Sequence, residues 1–440
     1  MMRTLALLLL PIGSHSLTLG MSRAMDGPSE QTYLKPSGMA SSSVYTAPID
    51  LSGGPSWSWH HPKGRAYTLT FGATIDDEEN IYLTAVDGVR KFNSEGDLQW
   101  EHITFPRMMF NTASLANGTV YGADLSGRAF ALSMATGEQV WETKISSSMG
   151  QNNGFTNVDA GIVVVDSHAS NGASNAVSGL NATDGSLLWT YRTMSPVWNF
   201  GASFPGDGSV VFQDRTGVAY RLNAKDGKLL WTSGKHRDSS FTDGTATIDS
   251  DGNVYTVENM HEQFSENTLG KLTKRALSDG HILWQVTTPH PPNNEPVVGH
   301  GLVIQAMGSQ QQQYAYSYVY AYDQQTGEQK WVFKGPAQKG HLQAGDEEFL
   351  ETRQQNGLPG MCYPNPWSAP GFAQDGTVYI GNQEGGFYSL RDLNGDGVVS
   401  GPEEVSVYET LAAFSGSSSP AITPRMLAIA SCDSLFVFKQ

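Results

Sequence analysis

The stretch Ala224-Lys-Asp-Gly-Lys-Leu-Leu-Trp231 decides the fold, because the same small turn followed by tryptophan returns along nearly the whole chain. By their numbers, the tryptophans that end these copies stand 41 to 53 residues apart. A period of this length in a strand-rich sequence is typical of a propeller or a solenoid. The seven tryptophans are Trp57, Trp100, Trp141, Trp189, Trp231, Trp284 and Trp331, of which the first ends a degenerate copy.

Each copy has the features of a turn that leads into the outermost strand of a small sheet. Segments of alternating polarity, such as Val254-Tyr-Thr-Val257 and Val218-Ala-Tyr-Arg-Leu222, precede the copies and are typical of paired strands. A dipeptide such as Asp226-Gly227 supplies the positive φ that a tight hairpin needs. Because a single twisted sheet cannot bury both of its faces, one tryptophan per sheet is expected to dock that blade against the next.

The two ends of the chain are predicted to share one blade. The segment around Trp57 reads as an outer strand with no blade before it, whereas the chain ends in three apparent strands near Ser419, Met426–Ala430 and Leu435–Phe438. Joining them removes open sheet edges. The sequence therefore predicts an all-β, eight-bladed β-propeller with four-stranded blades, closed by pairing the N-terminal strand with the C-terminal blade. Seven blades remain an alternative if one repeat is not a true blade.

The N-terminus resembles an export signal. Residues 1–20 combine one positive charge, a short apolar run and small residues, which is a signal-peptide layout, and residues 21–49 resemble a flexible leader. The apolar run is too short to span a bilayer, and no later stretch approaches the roughly 20 apolar residues of a membrane helix. We expect a propeller over residues 50–440 in a secreted, periplasmic or luminal protein without a transmembrane segment.

Residues 334–365 form an insertion before the seventh blade. A long loop of this kind is either functional or a solvated surface lobe. It contains Cys362, and the chain has one other cysteine, Cys432. The two cysteines could pair in an oxidising compartment or remain as free buried thiols.

Residues 392–403 stand where the seventh blade should carry its turn and tryptophan. This stretch, Asp392-Leu-Asn-Gly-Asp-Gly-Val-Val-Ser-Gly-Pro-Glu403, matches the twelve-residue calcium loop at every ligand position. Ca²⁺ takes six to eight oxygen ligands, and the alternative is an acidic turn without a metal. The predicted structural Ca²⁺ site, lodged in a hairpin, would use Asp392, Asn394, Asp396, the Val398 carbonyl, Ser400 and Glu403.

Charge and motifs restrict the possible functions. The formal net charge of −16 argues against nucleic acid as a partner. No zinc-protease, hydrolase-elbow or phosphate-loop signature is present, so no catalytic residue is proposed. Segments 108–111, 152–156, 197–200 and 241–244 are expected near the central channel, where a small polar ligand could bind or where they could simply satisfy backbone groups. His60 and His61 are expected to form a surface pair at the ring closure.

The repeated strand, turn, Gly and Trp pattern resembles the PQQ-repeat family, the eight-bladed propellers similar to quinoprotein alcohol dehydrogenases. The resemblance covers about residues 53–440 and implies the fold more strongly than the function, because the family contains quinone enzymes and a lipoprotein of outer-membrane assembly. Its enzymes use a vicinal cysteine pair, a calcium held by Glu and Asn, and a catalytic Asp. Cys362 and Cys432 are far apart in sequence, so the vicinal pair is absent and the resemblance does not imply a PQQ cofactor. No cysteine follows the signal segment, so the lipoprotein anchor is also missing.

The leading hypothesis is therefore a non-catalytic, exported propeller that binds or assembles a protein partner through its loops and channel mouth, with a structural calcium loop. The first alternative is a quinoprotein-type oxidoreductase with its active site in the central channel. A second alternative is a carbohydrate-acting enzyme that uses channel carboxylates, because pairs of Asp and Glu in space cannot be read from sequence.

Overall fold

The computed structural model describes most of the chain downstream of residue 48. The described ranges are 49–68, 72–148, 155–167, 175–197, 199–236, 242–261, 268–309, 315–338, 352–358, 366–373, 375–414, 416 and 418–440. The predicted signal segment and nearly all of the predicted leader lie outside them, as do Cys362 and most of the predicted insertion.

Within the described residues, thirty-one strands form eight small antiparallel sheets, and the prediction of an all-β propeller is confirmed. Each blade runs from an inner to an outer strand. Blade one is β2 (Ala73–Ile75), β3 (Ile81–Ala85), β4 (Gly88–Phe92) and β5 (Leu98–Ile103). Blade two is β6 (Ser114–Ala116), β7 (Thr119–Asp124), β8 (Arg128–Ser133) and β9 (Gln139–Lys144). Blade three is β10 (Thr156–Asp159), β11 (Ile162–Ser167), β12 (Ala176–Asn181) and β13 (Leu187–Arg192).

The remaining blades follow in the same order. Blade four is β14 (Ser209–Gln213), β15 (Ala219–Asn223) and β16 (Leu229–Ser233). Blade five is β17 (Thr247–Ile248), β18 (Val254–Asn259), β19 (Gly270–Arg275) and β20 (Ile282–Thr288). Blade six is β21 (Val297–Gly299), β22 (Leu302–Gly308), β23 (Tyr316–Asp323) and β24 (Gln329–Ala337). Blade seven is β25 (Gly371–Phe372), β26 (Val378–Gly381), β27 (Gly386–Leu390) and β28 (Val405–Glu409), and blade eight is β29 (Ala421–Ile422), β30 (Met426–Ala430), β31 (Leu435–Lys439) and β1 (Trp57–Trp59).

Blade four departs from the four-stranded pattern. Its innermost strand is reduced to a single bridge in which Ser203 and Val211 exchange both backbone hydrogen bonds at 2.8 Å. The chain continues into Pro205, which has no N–H to donate, so the ladder cannot extend in that direction. The proline therefore limits the inner strand on that side of the bridge, and the blade has three full strands.

Blade eight closes the ring with strands from both ends of the chain, as predicted. β1 pairs antiparallel with β31, placing Trp57 opposite Val437 and Trp59 opposite Leu435. The inner strand β2 of blade one also contacts β29 and β30. The first described residue, Ile49, is buried, and its amide donates a hydrogen bond to Tyr379 Oη of blade seven.

The antiparallel order gives the ring two different faces. Within each blade, the first and third connections end on one side, which we call the turn face. The second connection and the link to the next blade end on the other side, which we call the loop face. A short 3₁₀ helix (Arg65–Tyr67) and a helical turn at residues 352–355 both belong to connections of the loop face.

Among the described residues, no helix combines the length and the apolar character needed to cross a membrane.

Candidate functional site

Six of the seven repeat tryptophans make the same contact with the following blade. Each indole Nε1 donates a hydrogen bond of 2.7 to 3.1 Å to a carbonyl in the next blade's turn. The indole also lies on the glycine of that turn, where a Cβ added to the glycine would come within 2.5 to 3.1 Å of the ring. The glycine of one repeat thus receives the tryptophan of the repeat before it. The pairs are Trp57 with Gly96, Trp100 with Gly137, Trp141 with Gly185, Trp189 with Gly227, Trp231 with Gly280, and Trp284 with Gly327.

Residues 392–403 form the seventh contact between blades. Trp331 is buried in the same hydrophobic cluster as Val399. The strand residue after it, Val332, pairs in parallel with Val398, donating its amide hydrogen to the Gly397 carbonyl and accepting one from Val399, both at 3.0 Å. Backbone hydrogen bonds therefore join blades six and seven, whereas six other interfaces use an indole on a glycine.

Tyr408 makes the eighth contact between blades. It lies on the outer strand β28, two residues beyond the place that the strand register gives to tryptophan in the other repeats, and its ring lies against Gly54 in the turn before β1. It also packs edge-on against Phe436 and Phe438. The sequence signal for this contact is an aromatic residue on the last strand of blade seven and a Gly-Gly turn ahead of Trp57.

The side chains of the predicted calcium loop hold the loop's own backbone. Asp392 Oδ1 accepts the Gly395 amide hydrogen and Asp396 Oδ1 accepts that of Val398, both at 2.8 Å. Asn394 Oδ1 accepts the amide hydrogen of Asp396 at 2.7 Å. The side chains of these predicted ligands thus stabilise a series of tight backbone turns.

Glu404, and not the predicted ligand Glu403, lies against this loop. The Glu404 carboxylate accepts amide hydrogens from Leu393, Asn394 and Ser400 at 3.0 to 3.2 Å, and these bonds lower its pKa. Glu403 is exposed. Among the described residues, no three His, Cys, Asp or Glu side chains converge as a metal site. In this conformation the loop's carboxylates do not fit around an ion.

The segments expected near the channel lie in the links that precede the inner strands. Met109, Phe110 and Asn111 are buried, as are Val197 and Phe200. Residues 152–154, Trp198 and Phe241 lie outside the described residues. A shallow depression between blades six and seven is lined in part by Asn293, Asn294 and Trp367 and has no room for a ligand in this conformation.

Glu295 is an unusual residue in one of these links. It stands two residues before β21 and is 6% exposed, and its Oε1 has no hydrogen-bond partner among the described residues. Burial raises its pKa to about 8. In other blades the same place holds uncharged residues, which are Thr112, Thr245, Ala369 and Ser419. The carboxyl is therefore held mainly protonated at neutral pH, which sequence reasoning missed.

The expected surface pair of histidines is corrected by the structure. His60 is exposed, but His61 is buried, and its Nε2 lies 2.8 Å from Asp87 Oδ2. Arg90 forms two hydrogen bonds to the same carboxylate, at 2.8 and 3.0 Å. The network joins the segment after β1 to blade one, so His61 takes part in the ring closure.

Comparison with known proteins gives the family. The family model described as outer membrane protein assembly factor BamB matches residues 85–261, 147–358 and 215–397, three overlapping ranges that cover most of the chain. The chain belongs to this family. A search of curated proteins gave no match.

Solved structures share the fold of this BamB-family chain at low identity. BamB from Moraxella catarrhalis is 15% identical, with a TM-score of 0.58 over 88% of this chain and 99% of that one. The computationally designed Ika8 protein is 12% identical, with a TM-score of 0.59 over 87% and 98%. Quinohemoprotein alcohol dehydrogenase from Comamonas testosteroni is 11% identical, with a TM-score of 0.58 over 90% and 78%. At these identities the likeness concerns the fold alone.

Proposed function

We propose that this protein is an exported, non-catalytic propeller that binds another protein through its loop face. Membership in a family described as an assembly factor supports this proposal. The signal-like layout of residues 1–20 supports export. The observation that carries the proposal is a set of exposed, large apolar side chains on the connections of the loop face.

Most of these apolar side chains lie on connections between strands, and Tyr316 lies at the loop-face end of β23. Leu411 is 73% exposed and Met194 is 61% exposed, both in links between blades. Contact with a partner would return such side chains to an apolar environment, which is favourable. The outer strands also expose leucines, but these leucines occupy the same positions in successive repeats and are therefore a feature of the repeat itself. The loop-face set is Phe105, Met194, Leu269, Tyr316 and Leu411.

The test is capture of partners from a native extract. We expect Met194→Ser combined with Leu411→Ser to lose most of the protein captured by the wild type, by roughly tenfold or more, because apolar contact at the interface is removed. The matched control is Leu187→Ser with Leu230→Ser, two leucines of similar exposure on outer strands. Equal losses in both double variants, or no protein captured specifically by the wild type, would reject a partner site on the loop face.

A quinoprotein-type oxidoreductase is the second candidate, favoured by the shared fold with the Comamonas enzyme. None of the residues that the family's enzymes use at the quinone can be matched in this chain. Dye-linked oxidation of alcohols or sugars after addition of PQQ and Ca²⁺ would support this candidate and overturn the non-catalytic proposal.

We also propose that residues 392–403 bind a structural Ca²⁺. The loop has a residue suited to coordinating calcium at every ligand position of the twelve-residue motif, and it joins blades six and seven. Binding requires the exposed Glu403 side chain to turn towards the loop. It also requires the carboxylates of Asp392 and Asp396 to give up their hydrogen bonds to backbone amides and coordinate the ion instead.

Asp396→Ala should therefore lower the melting temperature in Ca²⁺ by several degrees, and much less in chelator, because a ligand stabilises only the folded state that binds it. The control is Asp184→Ala, which removes the same kind of turn hydrogen bond from an ordinary blade turn. An equal loss for Asp396→Ala in Ca²⁺ and in chelator would exclude the site.

A further inference from the structure

A threonine stands where the outer strand ends on the loop face in every second blade. In blades one, three and five it is the fourth residue after the repeat tryptophan, and in blade seven it has the same place in the strand register. These buried residues are Thr104, Thr193, Thr288 and Thr410. The same place in the other four blades holds residues without a hydroxyl group, which are Ile145, Lys235, Gly335 and His61. Because the four threonines alternate around an eight-bladed ring, they lie a quarter turn apart.

Each of these threonines bends the chain that follows it into a short arch. The side-chain hydroxyl donates a hydrogen bond of 2.6 to 2.9 Å to a backbone carbonyl two or three residues later. The amides of Thr104, Thr193 and Thr410 donate hydrogen bonds of 2.8 to 3.0 Å to the residue before the blade's third strand. Thr288 is paired with Gly270 of β19. We call these four turns the threonine arches, and in each of them the residue after the threonine is held on hydrogen-bonded backbone.

The residues that the threonine arches display are apolar and exposed. Phe105 is 51% exposed, Met194 61% and Leu411 73%, and Pro289 is exposed as well. Contact with a partner would remove their apolar surface from water, which is favourable. A backbone that is already fixed loses little conformational freedom on binding, so less of this gain is offset by entropy.

Leu411 is displayed at a cost in backbone strain. Its φ of 63° lies in the left-handed region, which is unfavourable for a bulky side chain. Glycine adopts this region freely. The neighbours Thr410 and Ala412 are buried, so the fold fixes the conformation of the residue between them. A strained leucine whose side chain is exposed adds little to the core, which indicates that this side chain acts on something outside the chain.

We propose that the threonine arches form one docking surface for a folded protein domain that covers the loop face and contacts apolar residues on opposite sides of the ring at once. This inference rests on the proposed function and adds the kind of partner. Met194 of blade three and Leu411 of blade seven lie half a turn apart. A partner that contacts both spans the mouth of the channel, which a short peptide bound at one blade does not do. Apolar hollows on the domain receive the displayed side chains, and the linked contacts strengthen one another.

Site-specific photo-cross-linking in a native extract tests this arrangement. A photo-reactive amino acid is placed in the full-length protein at Met194 or at Leu411. Both positions should attach to the same partner polypeptide, but to two different peptides of it, because the two arches contact separate parts of one domain. Adducts from one of the two positions alone would reject a covering domain and leave binding through the loop face standing. No adduct from either position would reject both.

Removal of two hydroxyl groups tests the threonine arches themselves. Thr193→Val combined with Thr410→Val should lower capture of the partner by roughly threefold or more, because each arch loses a hydrogen bond that holds its displayed residue. The matched control is Thr193→Ser combined with Thr410→Ser, which keeps both hydroxyl groups and should bind like the wild type. Equal capture by the valine and serine variants would contradict a positioning role for the threonines.

Leu411→Gly adds a measurement that needs no partner. Its melting temperature should be at or above that of the wild type, because glycine relieves the strain at this φ. Capture of the partner should fall by roughly tenfold, since the apolar contact is lost. A clear drop in the melting temperature would show that the leucine stabilises the fold, and would overturn its assignment to the docking surface.

Discussion

Replacing Trp189 with alanine should lower the free energy of unfolding by about 3–5 kcal/mol, the usual cost of removing a large buried aromatic side chain. The indole is 8% exposed, lies on Gly227 of blade four, and donates its N–H to the Ala224 carbonyl at 2.8 Å. The truncation therefore opens a cavity between two blades and leaves a buried carbonyl without its donor. Chemical denaturation followed by tryptophan fluorescence and circular dichroism measures the loss.

Two variants separate the contributions at this contact. Trp189→Phe keeps much of the packing and loses the N–H, so about 1–2 kcal/mol is expected from the unsatisfied carbonyl and the smaller ring. Leu188→Ala is the positional control, because Leu188 is the next residue but is 44% exposed, and it should cost below about 1 kcal/mol. A loss for Leu188→Ala as large as for Trp189→Ala would contradict the interpretation of the indoles as contacts between blades.

The regular contacts between blades could be anticipated from sequence, and the irregular ones could not. The Gly and Trp pattern can be recognised in the sequence because most blades pack against the next blade through the same two residues. The interface between blades six and seven uses the backbone of residues 397–399, and the interface between blades seven and eight uses Tyr408 on Gly54. These solutions use different chemistry, so no repeated pattern reveals them.

Glu295→Gln should stabilise the protein increasingly as the pH rises from about 4.5 to 8. The folded-state pKa of Glu295, about 8, lies above its ordinary value of 4.5, so the folded state binds the proton more tightly. Wild-type stability is therefore fully present below pH 4.5 and falls as the pH approaches 8. At about 1.4 kcal/mol for each pH unit between the two pKa values, the loss reaches roughly 3–5 kcal/mol. Glutamine has no proton to lose and escapes this penalty.

Denaturation of both proteins at about pH 5 and about pH 8.5 measures the effect. The two stabilities should agree within about 1 kcal/mol at the lower pH, since the wild-type carboxyl is then protonated in the folded state. Glu138→Gln is the control, because Glu138 is exposed in the turn of blade two, and its substitution should shift stability little at either pH. A Glu295→Gln gain that is equal at both pH values would show that ionisation is not its cause.

Glu295 and His61 illustrate what the sequence cannot supply. Neither residue recurs at the repeat spacing or belongs to a motif. The burial and pKa of each side chain depend on which residues the folded ring places around it. His61 is buried because the closure brings Asp87 and Arg90 to it from blade one. The unusual pKa of Glu295 depends on burial in a link between blades. Contacts between distant parts of the chain determine the environments of Glu295 and His61, whereas each copy of the repeat is recognised from a short stretch of sequence.

Cross-linking mass spectrometry of the captured complex tests the central claim most directly. A photo-reactive amino acid at Leu411 or Met194 should form adducts with the partner, because both positions lie exposed on the loop face. The same group at Asn117, exposed in a hairpin of the turn face, should form none. Adducts from Asn117 alone would contradict binding through the loop face.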